Sequence, residues 1–187
     1  MNGDLFMEYH FKQIEAKWQT EWEKKKVFEV KPFKQKSKKF YVLEMFPYPS
    51  ASFLHMGHVR NYTIGDVYAR FKRMQGFNVL YPMGYDSFGL PAENAAKKEG
   101  IHPRKYAEAS IKKIMAYQKA FGNSYDWSRV IATHTPEYYK WNQYFFLKMF
   151  EKGLVYRKKA PVNYCEKCQS VLANEEAEHG RCWRCDS

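Results

Sequence analysis

Two sets of side chains in this sequence have the types and spacing to do chemistry. The first is His55-Met56-Gly57-His58, placed where an apolar run, Lys39 to Phe46, gives way through "PYPS" to a helical pattern. Two imidazoles three residues apart at a helix start can point the same way. The glycine between them leaves room for a flat base or a phosphate to approach. A helix N-terminus there presents free backbone N–H groups to an anion, and imidazole N–H groups can donate to phosphate oxygens whose charge grows in a transition state. The pattern is that of a nucleotide site. Asp86 follows the next apolar run, Asn78 to Gly84. On neighbouring parallel strands it would share the rim with His55 and His58, where a carboxylate can hold an ammonium group.

The second set is Cys165, Cys168, Cys182 and Cys185, two CxxC pairs with thirteen residues between them. Each pair makes a tight knuckle, and four thiolates in tetrahedral array are the ligand set of a structural zinc ribbon. No coordination position stays open, so the metal has no catalytic part. It folds a segment too short to build its own core.

The elements that must position these groups follow from periodicity. A first helix runs through Glu8 to Phe28, with Phe11, Ile14, Trp18 and Trp22 on one face for packing. The run Lys39–Phe46 reads as a strand buried on both sides. Val59, Tyr62, Val67, Phe71 and Met74 recur at helical spacing, and Gly76 is placed to end that helix. Asn78–Gly84 is a second buried strand. Strand, helix and strand with short connections make a βαβ unit and a Rossmann-like parallel sheet, an α/β fold. Pro103 opens a further helix, and Thr135 with Pro136 starts another that Gly153 closes. The expected division is residues 1–160, the N-terminal helix with the Rossmann-like half-domain, and 161–187, the ribbon.

The 187 residues hold 31 Lys and Arg against 20 Asp and Glu, a net +11 that suits a polyanionic partner. Only the stretch Lys31–Lys39 forms a basic run. No apolar segment is long enough to span a membrane. The N-terminal stretch has neither signal-peptide nor transit-peptide character, so a cytoplasmic location is expected.

Several stretches, in order, carry a resemblance to a known family. "FPYPSASFLHMGHVRNYTIGDV", "GYDSFGLPAEN", "YDWSR", "TPEYYKW" and "KGLVYRKKAPVNYC" resemble the catalytic domain of the class I aminoacyl-tRNA synthetases, and among them the leucine-specific branch. "HMGH" is a form of the class I HIGH signature. The resemblance implies ATP-dependent activation of leucine to leucyl-adenylate, with Mg2+ and structural Zn2+, then transfer to tRNA(Leu). It implies that His55, Gly57, His58 and Asn61 contact ATP. It also implies that Asp86 and the Phe46 carbonyl bind the leucine ammonium, with Met45, Phe46 and Tyr48 lining the side-chain pocket. A monomer is expected. The chain departs from the family at its loop, "PYPSASFLHMGH", which is one residue longer than usual and has Ala51 where glycine is usual. Tyr85 and Ser87 stand where Trp and Ala are usual, which implies altered packing rather than altered chemistry.

The second class I signature, KMSKS, does not occur in the sequence. The chain therefore reads as an N-terminal fragment that binds ATP or leucine weakly and turns over slowly. The rival readings are a synthetase for isoleucine, valine or methionine, a zinc-ribbon RNA-binding module without chemistry, and a nucleotidylyltransferase on a similar fold. "GLPAEN" after Asp86 favours leucine.

Overall fold

A computed structural model of the protein describes residues 9–32 and 38–187. The chain start, 1–8, and residues 33–37 of the expected basic run lie outside the described residues. The chain divides into two compact units, Met1–Asn142 and Gln143–Ser187.

In the first unit a run of parallel strands sets the frame. β1, Lys39–Tyr41, pairs in parallel with β2, Asn78–Leu80, in the register Lys39↔Asn78, Phe40↔Val79, Tyr41↔Leu80. β3, Gly84–Tyr85, continues the same extended segment and pairs in parallel with β4, Ile131–Ala132. Backbone bonds prolong both pairings. Asp86 N–H donates to Pro47 O at 3.1 Å on one side, and Thr133 N–H donates to Tyr85 O at 3.1 Å on the other. Segment 78–86 is thus central, flanked by 39–47 and 126–133. Parallel neighbours need crossovers, which are α2, Met56–Met74, for the first, and α3, Leu90–Glu99, with α4, Pro103–Ala120, for the second. The expected α/β architecture is found.

The core lies on the central segment. Val79, Tyr81, Met83 and Tyr85 are buried there with Tyr62 and Ala69 of α2, Ile114 of α4 and Tyr125. Buried tyrosines need partners for their hydroxyls. Tyr85 Oη donates to Gln118 Oε1 at 2.9 Å and Tyr125 Oη donates to Glu44 Oε2 at 2.8 Å. Ser124, immediately before the "YDWSR" stretch, is fixed to α2 by charge-assisted bonds. Arg73 donates to Ser124 Oγ at 2.7 Å and to Ser124 O at 2.9 Å, and Asp66 accepts from Ser124 N–H and from Arg70 Nε. Asp126, wholly buried, accepts from Val30 N–H at 2.9 Å and so ties down the segment after the first helix.

Three expectations from apolar periodicity need correction. The helix α1, Phe11–Lys24, buries no residue, and of its predicted face only Trp22 packs, against Phe28 and beneath the Arg70 guanidinium. The Lys39–Phe46 run is inward on one side only. Tyr41, Leu43 and Met45 are exposed, while Phe40, Val42, Glu44 and Phe46 face the core. In α2 the buried residues are Tyr62 and Ala69, whereas Val67, Phe71 and Met74 are exposed. Spacing marks which residues share a stripe, but which stripe is covered depends on neighbours brought in from elsewhere in the chain.

The helix stops behave as expected. Gly76, at φ +81°, follows α2, and Gly153, at φ +69°, follows α5, Pro136–Glu151. Thr135 precedes α5, and its hydroxyl donates back to Ala132 O at 3.1 Å. In the second unit β5, Asn163–Cys165, and β6, Ser170–Leu172, form an antiparallel hairpin. Its core is Cys165, Leu172 and Cys182 with Cys168, Ala177 and Cys185 against them. Among the described residues no helix is long and apolar enough to cross a membrane.

Candidate active site and metal centre

The two histidines at the start of α2 hold each other. His55 is the N-cap, its Nδ1 accepting from Gly57 N–H at 3.1 Å, while His55 N–H donates to His58 Nδ1 at 3.3 Å. The ring centroids are 3.9 Å apart. Because both Nδ1 atoms accept backbone protons, each neutral ring carries its own proton on Nε2. The pair therefore presents two Nε2–H donors at a helix N-terminus. Burial, and then the neighbouring His55, hold the His58 pKa below the usual imidazole range, which keeps that tautomer neutral. Gly57 is required locally: a Cβ there would stand 2.9 Å from His55 Cε1. Asn61, one turn on, is exposed on the same helix.

At the end of segment 39–47 an open cleft of about 240 Å3 is lined by Met45, Phe46, Tyr48, Asp86, Thr133 and Tyr138. The structure thus brings together the four residues expected to bind an amino acid. Phe46 takes its place because Gly84 lacks a side chain: a Cβ there would lie 2.5 Å from Phe46 Cε2. Asp86 is fixed by its backbone bond to Pro47 and is half-buried. Apolar walls with one carboxylate at the rim suit a small aliphatic ammonium compound.

Neither Thr133 nor Tyr138 was expected to line the cleft, although Tyr138 falls within the "TPEYYKW" stretch. They reach the cleft through the parallel pairing of β3 with β4, a contact across more than forty residues that no local signal carries.

The four cysteine sulfurs lie within 4.8 Å of one another, with Cys165 and Cys185 at 3.5 Å and Cys168 and Cys182 at 3.9 Å. Tetrahedral Zn–S bonds of about 2.3 Å place sulfurs about 3.8 Å apart, so the donor set fits zinc. A hydrogen bond from the Ser187 hydroxyl pulls Cys165 down to about 6, and the surrounding thiols push Cys168 up to about 12. Crowded thiols share their protons unequally, and a cation that takes all four as thiolates relieves this.

A family model described as tRNA synthetases class I (I, L, M and V) matches residues 17–181. The chain belongs to the class I tRNA synthetases. It is 61% identical over 181 residues to a leucine--tRNA ligase of Nitratidesulfovibrio vulgaris, covering 97% of this chain and 22% of that protein. It is 57% identical over 181 residues to a leucine--tRNA ligase subunit alpha of Aquifex aeolicus, covering 97% of this chain and 28% of that one. Among solved structures, the Agrobacterium radiobacter K84 agnB2 LeuRS–tRNA–LeuAMS ternary complex superposes with a TM-score of 0.87 at 44% identity, over 96% of this chain and 23% of that one. The chain spans between about a fifth and just over a quarter of the length of these relatives.

The loop that leads into α2 is clamped at its start. Pro49 is buried, and Tyr106 of α4 donates to Ser50 O at 3.1 Å. Ser87 is also bonded rather than merely packed: its Oγ lies 2.6 Å from His134 Nδ1. This ties the loop after β3 to the loop after β4, behind Asp86.

Proposed function

We propose that this chain forms the leucine- and ATP-binding part of a leucyl-tRNA synthetase. The observation that carries the reading is the cleft in which Asp86 stands at the rim and Met45, Phe46 and Tyr48 form the walls. The leucine names of the relatives support the amino acid. In this reading Asp86 and the Phe46 carbonyl take the ammonium group, and the three wall residues take the isobutyl side chain.

The Nε2–H donors of His55 and His58, with Gly57 and Asn61, take ATP. A leucine carboxylate oxygen attacks the α-phosphorus, the bond to the bridging oxygen breaks, and pyrophosphate leaves to give leucyl-adenylate; Mg2+ bound with the ATP would offset the phosphate charge. No proton transfer is needed. The protein positions the reactants in line and stabilises the departing charge. The adenylate is then consumed by a hydroxyl of the terminal adenosine of tRNA(Leu). Residues 161–187 form the ribbon, in which Cys165, Cys168, Cys182 and Cys185 would hold zinc as structure.

The test is calorimetric binding of a non-hydrolysable leucyl-adenylate analogue to the chain, beside its isoleucyl and methionyl counterparts, in wild type and Asp86→Ala. A leucyl preference lost in Asp86→Ala is expected. Equal binding of all three analogues, unmoved by Asp86→Ala, overturns the assignment of the cleft.

A further inference from the structure

The loop after β4 supplies a hydroxyl whose direction is fixed by what it accepts. Thr133 Oγ1 accepts from Ser87 N–H and from Phe88 N–H, each at 2.8 Å. A hydroxyl has two acceptor lone pairs and one proton. With both lone pairs taken by amides, the proton must point away from them, and there Asp86 Oδ1 lies at 3.3 Å. Thr133 also donates its own N–H to Tyr85 O at 3.1 Å, which prolongs the β3–β4 ladder and leaves its side chain little freedom. Thr133 stands in the wall of the same cleft as Asp86.

From this geometry we infer that Thr133 is the positioning residue for Asp86: it knits the two amides after Asp86 into one turn and donates its hydroxyl proton to Oδ1, so that Oδ2 is turned to an incoming ammonium group. A rotating carboxylate would have to be ordered when the amino acid binds. One already held on one oxygen is not. Ser87 and His134 support the same turn from behind, since Ser87 Oγ is 2.6 Å from His134 Nδ1 and accepts from His134 N–H at 3.4 Å. Thr133 acts through Asp86 and touches no reacting atom. The inference deepens the proposed leucine site, and its consequence for ligand binding rests on that reading.

The test follows the Asp86 carboxyl carbon by 13C NMR at pH 8 in the wild-type chain, Thr133→Val and Thr133→Ser. Valine keeps the volume and removes the donor; serine keeps the donor. One sharp Asp86 resonance is expected in the wild-type chain, shifted and broadened by loss of the hydrogen bond in Thr133→Val and returning towards wild type in Thr133→Ser. A resonance unmoved in folded Thr133→Val overturns the inference.

Because valine leaves two amides without an acceptor, Thr133→Val can fail to fold. Neutron diffraction from the deuterated wild-type protein then decides. Deuterium on Oγ1 directed at Asp86 Oδ1 supports the inference, and any other direction overturns it. Neither measurement uses leucine, so a failure of the proposed function leaves them standing. In the ligand arm, Thr133→Val is expected to weaken the leucyl-adenylate analogue about tenfold, the loss of one charge-assisted bond. A counterpart lacking the amino group should bind wild type and Thr133→Val equally. An equal loss for both ligands means that Thr133 shapes the cleft without positioning Asp86, and overturns the inference.

Discussion

The Glu44 carboxyl lies against the backbone of Gly65. A Cβ added at Gly65 would stand 2.6 Å from Glu44 Cδ and overlap Oε1. Strand and helix meet there, beneath the turn of α2 that follows the histidine pair. Glu44 is otherwise held by Tyr125, which donates to Oε2 at 2.8 Å. The close approach of α2 to segment 39–47 thus depends on a missing side chain on the helix and on a bonded carboxyl on the strand.

Gly65→Ala should accordingly destabilise the first unit by about 1–3 kcal/mol, the usual cost of overpacking. The sign depends on Glu44. In a Glu44→Ala background the obstruction is gone, and alanine in a helix interior is favoured over glycine by about 1 kcal/mol, so the same substitution should be neutral or stabilising. Urea denaturation of the two single variants and the double variant measures this coupling. Additive effects would contradict the contact.

Burial raises the Glu44 pKa to about 7, against the pull of the Tyr81 and Tyr125 hydroxyls. In the unfolded chain the group titrates near 4.5. Between these values the folded state holds a proton that the unfolded state has lost. Stability from this group is therefore complete below pH 4.5, falls as pH rises, and levels off above about 7. Glu44→Gln cannot ionise and should remove this slope, gaining on the order of 2 kcal/mol relative to wild type at pH 8 after allowance for solvent screening. Denaturation at pH 5, 6, 7 and 8 checks it. Parallel curves for the two proteins would show that Glu44 titrates normally.

The ribbon core consists of the cysteines with Leu172 and Ala177, too little apolar surface to fold by itself. One zinc per chain is expected by atomic absorption. A chelator should release it and collapse hydrogen-exchange protection across residues 163–187 while protection on Val79, Tyr81 and Met83 persists. Cys165→Ser should lower zinc affinity in the same measurement. Protection in the ribbon that survives metal removal would show that the metal is not what folds it.

The parts of the molecule legible in the sequence are those that local chemistry specifies. Two CxxC pairs define a ribbon whatever surrounds them, Gly76 and Gly153 end helices by their backbone freedom, and His55-x-Gly57-His58 marks a strand-to-helix turn. What was not legible depended on contacts distant in sequence. The stripe Val67, Phe71 and Met74 has helical spacing, yet the covered face of α2 is Tyr62, Gly65 and Ala69, because a tyrosine core and the Glu44 carboxyl lie on that side. Thr133 looks like an ordinary loop threonine until the register Tyr85↔Ala132 carries it to Asp86.

The histidine pair yields a prediction about protonation. His55 and His58 cap α2 through Nδ1 acceptors, and an imidazolium has no acceptor nitrogen. The depressed His58 pKa contributes stability that is present above the unfolded imidazole value, 6.5, and is lost as pH falls through the lower folded value. Below that point the bond from His55 N–H must break, and the first turn of α2 should fray while its last turn stays ordered. Nitrogen-15 spectra of the imidazoles should show Nε2–H tautomers for both rings at pH 8. Gly57→Ala, by pushing a Cβ into the His55 ring, should scramble the His55 tautomer at pH 8 and cost about 0.5–2 kcal/mol as a lost cap. If His55 keeps a pure Nε2–H signal in Gly57→Ala, the glycine is not there to seat the ring, and its role lies in what approaches the site from outside.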